Sequence, residues 1–186
     1  MIDFSWEDVR GKSIIGNRPG GVPQMVLEYS LKERGIISGE DVEVMTNLDF
    51  TANAGAFVSG IGDFVQLLEP AASTLESEKQ GYVVGSFGEA GENVPYTVFM
   101  AKEKYIQENP EIIQSFTNAI YNAQIWVEKH TIEKIAETIK PQFPDTDMEI
   151  LIKVIKRYRD QCAWDKNPII EKEVFEHYED LILAGE

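Results

Sequence analysis

The chain has 186 residues, of which 43% are hydrophobic, so it is long enough to bury a core in one domain or in two small lobes. Acidic residues number 32 and basic residues 17, and the formal net charge of -15 repels nucleic acid and anionic membrane surfaces. We therefore expect no nucleic acid partner. A small anionic ligand is not excluded, because local backbone N–H groups can outweigh a distant net charge.

Cysteine and histidine usage gives no sign of a metal or a cofactor. Cys162 is the single cysteine, so it can form no internal disulfide and has no companion at zinc-ligand spacing. His130 and His177 also lack a His or Cys partner at such spacing. No apolar run is long enough to span a membrane, and the start of the chain does not have the pattern of a signal peptide. An export signal would have to lie outside the chain.

The first predicted elements are a strand, a turn and a helix. The apolar run "KSIIG", residues 12–16, predicts a strand, and "VPQMVLEYSLK", residues 22–32, carries apolar residues at helical spacing. Pro23 suits the first turn of a helix, and Gly35 indicates where that helix has ended. "DVEVMTN", residues 41–47, alternates like a strand. The opening segment is therefore predicted to be a βαβ unit.

Strands and short helices then alternate as far as Lys102, which predicts a mostly parallel sheet with flanking helices, in other words an α/β fold. Two helices and three strands are predicted in this stretch. The helices are "TANAGAFVSG" at 51–60 and "PAASTLESEKQG" at 70–81, and the strands are "DFVQLLE" at 63–69, "YVVGSFG" at 82–88 and "YTVFMAK" at 96–102.

The remainder of the chain has a helical pattern. One helix is predicted to start at Asn109 and Pro110, and a second opens with Thr146 and Glu149 at capping-box spacing. A third repeats the Asn-Pro start at residues 167–168. We therefore predict an α/β ligand-binding lobe at residues 1–101 and a helical C-terminal segment at residues 102–186, packed on that lobe or on a first lobe outside the chain.

The turn between the first strand and the first helix contains Pro19, Gly20 and Gly21. Glycine has no Cβ, so backbone N–H groups at the positive end of a helix stay open to a carboxylate, sulfonate, phosphate or polar ring edge. The sequence matches neither the P-loop nor the dinucleotide-binding pattern. A tight turn without a ligand explains the same residues equally well.

Three stretches of the chain, the glycine turn among them, carry a resemblance to a known family. They are the strand-turn-helix at residues 11–36, the stretch from Ala54 to Glu69-Pro70, and the helix that runs from Asn109-Pro110-Glu111 through Ala119. In this order the chain resembles the SsuA/THI5-like (NMT1-like) solute-binding proteins of ABC importers. The resemblance covers nearly the whole chain.

The resemblance implies a type II periplasmic-binding-protein fold, in which two α/β lobes close on a small ligand and the loaded protein is delivered to a membrane permease. It also implies an extracytoplasmic location for the full-length parent. Family members usually carry an upstream lobe and an export signal, so we expect this chain to be a fragment that holds the second lobe and most of the C-terminal helices. Such a fragment, with half of its cleft exposed, could associate with itself.

Carried over residue by residue, the family turn corresponds to Gly20, Gly21 and Val22, which the resemblance places at the ligand. Relatives that bind sulfonates carry hydroxyl residues at this turn, and the change to Gly-Gly-Val makes an anionic ligand less favoured. Arg18 is a candidate cation next to the turn, although a surface arginine at a strand end needs no ligand.

Four other positions are candidates for ligand contact. Thr51 and Asn53 precede a helix, where they could reach the cleft or act as plain N-caps. Glu69 ends a predicted strand, where ligands of open α/β sheets gather, so it could accept from a ligand amino group or hold a hinge. Tyr96 could stack on a ring or belong to the core.

These residues favour capture of a small molecule for import without catalysis. A thiamine-precursor pyrimidine ranks slightly ahead of sulfonate, taurine or nitrate-like anions. The enzymatic alternative is a THI5-like pyrimidine-synthesis enzyme, but those enzymes carry a CCCFC motif that a chain with one cysteine cannot match. A small-molecule effector-sensing domain is the other alternative, and no helix-turn-helix is visible beside it.

Overall fold

The computed structural model of the chain describes residues 4–90 and 94–184. These residues form two compact units: the first runs up to Val94 and also includes the chain from Glu173 onward, and the second comprises Pro95–Lys172. The return of the last helix to the first unit was not anticipated from the sequence. The lobe boundary placed after residue 101 stays a prediction.

The first unit is built on a small parallel sheet. Its strands are β1 (Ser13–Ile15), β2 (Glu43–Met45) and β3 (Phe64–Val65), and β1 lies between the other two. Ile14 pairs with Val44 on one side and with Phe64 on the other, in parallel register. The predicted βαβ opening and the α/β fold class are confirmed.

Short helices flank this sheet. A 3₁₀ turn at Trp6–Val9 precedes β1, and another at Phe50–Ala52 leads into the second helix. The helices of this unit are α1 (Val22–Lys32), α2 (Asn53–Val58), α3 (Ala71–Ser77), α4 (Phe87–Ala90) and α9 (Lys172–Ala184), the last of which starts at the final residue of the second unit.

The core of the first unit lies between α1 and the sheet. Leu27 and Leu31 lie one turn apart on α1 and pack with Ile14 of β1, and all three side chains are buried. Val42 and Ile36 extend the same cluster. Each such side chain contributes roughly 1.5–3 kcal/mol when it is fully buried, so this cluster fixes α1 against the sheet.

The second unit is helical. Its helices are α5 (Glu103–Glu108), α6 (Pro110–Lys129), α7 (Ile132–Ile139) and α8 (Met148–Asp160). The core lies between α7 and α8 and consists of the buried side chains Ile135, Ala136, Leu151 and Ile155. Arg159 of α8 donates to the carbonyl oxygens of Val127 and His130, at 2.7 and 2.8 Å, and so satisfies groups at the end of α6 that the helix cannot pair internally.

Two predicted strands are wrong. Residues 82–86 are irregular and lead into α4, and residues 96–102 form no strand. A strand exists only where a neighbour accepts its backbone hydrogen bonds, and the described part of the chain contains three paired strands. Local alternation of apolar residues cannot reveal whether that neighbour is present.

The helix starts were predicted with mixed success. The start of α6 at Asn109-Pro110 is confirmed, with Asn109 at the N-cap position. The capping box on Thr146 is wrong, since α8 has Asp147 as its N-cap residue. The start at residues 167–168 is also wrong: Asn167 accepts from the N–H of Ile169 in a local turn, and α9 begins later.

Among the described residues, no helix has the length and apolar composition needed to cross a membrane.

Candidate ligand-binding site

A cluster of buried carboxamides lies where β1 and β3 end and α1 and α2 begin. Its members, called the amide cluster below, are Asn17, Gln24, Asn53 and Gln66, and none is more than 5% exposed. Asn17 follows β1 by two residues, and Gln66 directly follows β3. All strands of the sheet are parallel, so these residues lie at its carboxyl edge, where ligands of open α/β folds bind.

Hydrogen bonds join three members of the cluster. The Nδ2 of Asn17 donates to the Oε1 of Gln66 over 2.7 Å, and the backbone N–H of Asn17 donates to the Oε1 of Gln24 over 2.8 Å. The Nε2 of Gln66 donates to the carbonyl oxygen of Pro23 over 2.8 Å. The network therefore ties the ends of β1 and β3 to the first turn of α1.

Asn53 connects α2 to the same edge. Its Nδ2 donates to the carbonyl oxygen of Gly16 over 2.9 Å, and its side chain has no exposed surface. Glycine at position 16 leaves room for this packing, because a Cβ there would lie 2.4 Å from the Oε1 of Gln24, which would have to shift, and 3.1 Å from Val44 Cγ1. Asn53 is therefore not a plain N-cap: Ala52 occupies that position of α2.

Two carbonyl oxygens of the amide cluster have no hydrogen-bond partner within the described chain. They are the Oδ1 atoms of Asn17 and Asn53, and both are shielded from solvent. Leaving a buried acceptor unsatisfied costs about 1–3 kcal/mol, which folded proteins usually avoid with a water or a ligand. The carboxyl edge of the sheet thus keeps unused capacity to accept hydrogen bonds.

The glycine turn brings the start of α1 to this edge. Gly20 has φ +74°, a left-handed conformation that favours glycine, and the N–H of Gly21 donates to the carbonyl oxygen of Arg18 over 3.2 Å. Gly21 is the N-cap residue of α1 and provides no side-chain cap. Within the described chain, the N–H of Val22 makes no hydrogen bond, so the positive end of α1 keeps an open donor there.

Arg18 adds a positive charge beside this helix end. The side chain is exposed and makes no ion pair with any described residue. Its Cγ and Nε lie 3.5 and 3.8 Å from the point that a Cβ on Gly21 would occupy. The guanidinium stem therefore covers the N-terminus of α1, where both the charge and the helix dipole favour an anion or an electron-rich group.

Thr51 and Glu69 are engaged in caps. Asp49 Oδ1 accepts from the N–H and the hydroxyl of Thr51 at 2.9 and 2.6 Å, and these bonds lower the pKa of Asp49. Glu69 accepts from the N–H and the hydroxyl of Ser73, both at 2.9 Å, at the start of α3. A ligand at either position would compete with these bonds.

The structure brings some of the predicted ligand-binding residues close together. Seven of the eight candidates lie in the first unit, and Tyr96, which is 46% exposed, lies in the second. Arg18, the glycine turn and Val22 gather at the start of α1, and Asn53 joins them through Gly16. The contact of each with a ligand stays a prediction.

Sequence reasoning missed three members of the amide cluster: Asn17, Gln24 and Gln66. A usable signal was present for Asn17, a side-chain amide directly after the predicted strand at residues 12–16; Gln66 lies inside the predicted strand at residues 63–69 and reaches a strand end only because β3 stops at Val65. Polar residues at that place in parallel sheets are positioned at the ligand-binding edge. Gln24 gave no such signal, since a polar residue in the first turn of a surface helix is ordinary.

The opposite edge of the sheet has different chemistry. A depression of about 530 Å³ at the amino ends of the strands is open to solvent and acidic, with Asp41 and Asp63 among its lining residues. The N–H and hydroxyl of Ser13 donate to Asp63, which lowers the pKa of that carboxyl group. No group of three or more His, Cys, Asp or Glu side chains within the described residues is placed to hold a metal ion.

Comparison with known proteins gives a consistent result. A sequence model of the NMT1-like family matches residues 8–140, more than half of the chain. Binding protein YtlA of Bacillus subtilis (strain 168) is 43% identical over 173 residues, which are 93% of this chain and 52% of YtlA. The nitrate/nitrite binding protein NrtA of Nostoc sp. (strain PCC 7120) is 30% identical over 113 residues, which are 60% of this chain and 25% of NrtA. The chain thus spans about half of the length of YtlA.

Proposed function

The chain belongs to the NMT1-like family, and on that premise we propose that it is part of the solute-binding component of an ABC importer. Both relatives described above are named as binding proteins, which supports a binding role without catalysis. Delivery of the ligand to a membrane permease and an extracytoplasmic location belong to the same proposal.

One observation carries the proposal: the amide cluster and the open start of α1 share the carboxyl edge of a parallel sheet. Four carboxamides are buried there, and two of their oxygens have no partner within the described chain. The N–H of Val22 is open at the start of α1, and Arg18 lies beside that helix end. Polar groups without partners are costly in a merely structural core. We therefore propose ligand contacts of the first unit at Arg18, at Gly20 to Val22 and at Asn53. Thr51 and Glu69, which would have to give up cap bonds, and Tyr96 of the second unit are further candidates.

The ligand is a small polar molecule. Arg18 and the dipole of α1 suit an anion such as nitrate, sulfonate or taurine, and the name of NrtA supports that class. The unpaired oxygens of Asn17 and Asn53 suit a ligand with N–H donors, such as a thiamine-precursor pyrimidine. Substitution of Arg18 separates the two classes, because only an anion depends on its charge.

The test is a binding screen by calorimetry and thermal shift with an aminopyrimidine, an alkanesulfonate, taurine, nitrate and bicarbonate. Two proteins are tested: the chain alone, and a joined protein in which the chain is fused to the part of YtlA that does not match it. A ligand at about 100 times its dissociation constant adds roughly 2.7 kcal/mol of stability, which is easily detected. We expect one chemical class to bind, and we expect Gly21→Trp to abolish that binding.

Arg18→Ala and Lys12→Ala form the matched pair of variants. Both remove one positive charge next to β1, but Lys12 lies at the amino end of the strand, where its ammonium is 3.9 Å from Asp63. For an anion, Arg18→Ala should weaken binding by roughly 10-fold to 100-fold, the usual value of a charge-assisted hydrogen bond. For a neutral ligand, both variants should bind within about 3-fold of the parent, since neither removes a charge on which the ligand depends. Unchanged affinity in Gly21→Trp contradicts the placement, and a screen without any binding in the joined protein contradicts solute capture for this panel.

A further inference from the structure

The amide cluster has a polarity that its neighbours impose. The oxygen and nitrogen of a carboxamide have nearly the same shape, so the groups that they face decide which way the amide points. Gln24 lies between two groups of fixed character. Its Nε2 donates to the carboxylate of Glu28 over 2.6 Å, and its Oε1 accepts from the backbone N–H of Asn17. A reversed Gln24 would place acceptor against acceptor and donor against donor.

The same reasoning fixes Gln66 and then Asn17. The carbonyl oxygen of Pro23 can only accept, so the Nε2 of Gln66 points to it and the Oε1 of Gln66 points to Asn17. That oxygen accepts from the Nδ2 of Asn17, and the Oδ1 of Asn17 has no partner within the described chain. The unpaired atom of Asn17 is therefore an acceptor.

Asn53 leaves an acceptor unpaired for a separate reason. The carbonyl oxygen of Gly16 accepts from its Nδ2, so its Oδ1 is the atom without a partner among the described residues. Gly16 directly precedes Asn17, so both unpaired oxygens belong to side chains held at neighbouring positions after β1. Every amide nitrogen of the cluster makes a hydrogen bond, whereas these two oxygens make none within the described chain.

The charge next to the cluster has the same sign as these oxygens. The half-buried carboxylate of Glu28 is bound to Gln24, and a carbonyl oxygen is the negative end of its own dipole. Such groups repel an anion and attract N–H donors. Arg18 is exposed and lies over the start of α1, so its positive charge acts at the surface and not inside the cluster.

On the premise of the proposed function, we propose that the amide cluster selects a solute that has N–H donors and no net negative charge. Its amino or amide protons pair with the Oδ1 atoms of Asn17 and Asn53. A heterocycle with a primary amino group, an amidine or a urea has such donors, whereas nitrate and alkanesulfonates only accept and leave both oxygens unpaired. Both oxygens are shielded from solvent, so an internal water is the competing occupant.

The test compares two probes of nearly the same size. 4-Amino-2-methylpyrimidine and 2,4-dimethylpyrimidine differ only in an amino or a methyl group, and nitrate and methanesulfonate are the probes without N–H groups. Calorimetry measures the affinity of each probe for the chain alone and for the joined protein. The amino compound should bind roughly 10-fold to 100-fold more tightly than the dimethyl compound, and more tightly than either anion. Equal affinity for the two pyrimidines overturns the proposal.

Asn53→Ala and Ser30→Ala are the matched variants. Ser30 also has a buried oxygen without a partner within the described chain, but it lies in the second half of α1. Asn53→Ala should reduce the preference for the amino compound by at least about 5-fold, and Ser30→Ala should keep it. The preference is a ratio within one protein, so a loss of stability that weakens both pyrimidines alike does not change it. An undiminished preference in Asn53→Ala overturns the proposal.

A crystal structure of the complex is a second measurement that needs no variant. The amino nitrogen should lie about 2.7–3.2 Å from the Oδ1 of Asn17 or of Asn53. A water molecule on both oxygens, with the probe bound elsewhere, overturns the proposal.

The same panel separates this proposal from the proposed function. Tighter binding of nitrate or methanesulfonate than of the amino compound overturns the selection of N–H donors and leaves solute capture standing. Absence of binding by every probe in the joined protein contradicts solute capture for this panel, and the selection of N–H donors falls with it.

Discussion

The two units of the chain differ in the polar groups that they bury and in the apolar groups that they expose. The first places an apolar cluster between α1 and the sheet and, in addition, buries four carboxamides at the carboxyl edge. The second buries a short row of residues between α7 and α8 and leaves Phe99, Met100 and Ile112 in solvent. Buried polar groups need hydrogen-bond partners, and exposed apolar groups need a covering surface. The comparison teaches that the first unit keeps buried polar atoms without partners at the carboxyl edge of its sheet, whereas the second keeps large apolar side chains in solvent.

The largest expected effect tests how the second unit holds together. Leu151→Ala removes a fully buried side chain from a core with few members and should lower the free energy of unfolding by about 3 kcal/mol. Urea denaturation measures the change, and hydrogen exchange locates it. Phe99→Ala in the chain alone should change stability by less than about 0.5 kcal/mol, because its side chain is mostly exposed. A comparable loss from both substitutions would contradict the exposure of the Phe99 side chain.

An intermediate effect tests the close packing at the carboxyl edge of the first unit. Gly16→Ala places a methyl group against the side chain of Gln24 and should lower the free energy of unfolding by about 2 kcal/mol. Gly55→Ala in α2 is the control, since a Cβ there meets no atom within 4 Å. The control should be neutral or slightly stabilising, as expected for alanine in a helix. Equal stability of both variants would mean that the amide cluster is not rigid.

The smallest effect distinguishes the two edges of the sheet. The pKa of Asp63 is lowered in the folded protein, chiefly by the backbone N–H of Ser13, so the ionised carboxyl stabilises the fold above its usual pKa of 3.8. This contribution is lost as the pH falls through the lowered pKa. Asp63→Asn should reduce stability at pH 7 and flatten its decline below pH 4, as measured by thermal unfolding across pH.

Glu40→Gln is the control for Asp63→Asn. It removes the same charge from the same depression, but Glu40 makes no side-chain hydrogen bond within the described structure. An acid profile that changes equally in both variants would assign the effect to net charge and not to the contact with Ser13.

Local signals in the sequence determined much of the fold. An apolar run at residues 12–16 and alternation at residues 41–47, with a proline-started helix between them, were enough for the βαβ opening, because each element depends on residues within one turn or one strand. The proline after Asn109 fixed the start of α6 for the same reason. Thr146 carried the same kind of signal, but Asp147 took the N-cap position, since several polar residues compete for one helix end.

The candidate site was predicted in part. The glycine turn and Asn53 could be found because turn chemistry and resemblance act at fixed positions in the chain. The bond from Asn17 to Gln66 joins residues 49 positions apart, and no local pattern encodes such a pair. Only the parallel register of β1 with β3 brings the two amides together.

The sequence by itself determined the α/β class, the glycine turn, the start of the long helix and the acidic net charge, since each follows from neighbouring residues or from composition. The tertiary structure decided which polar groups are buried and which strand patterns become strands. Burial and strand pairing depend on partners that are distant in the chain, and residues 97–101 show this most directly: they have the sequence of a strand but no paired strand within the described chain.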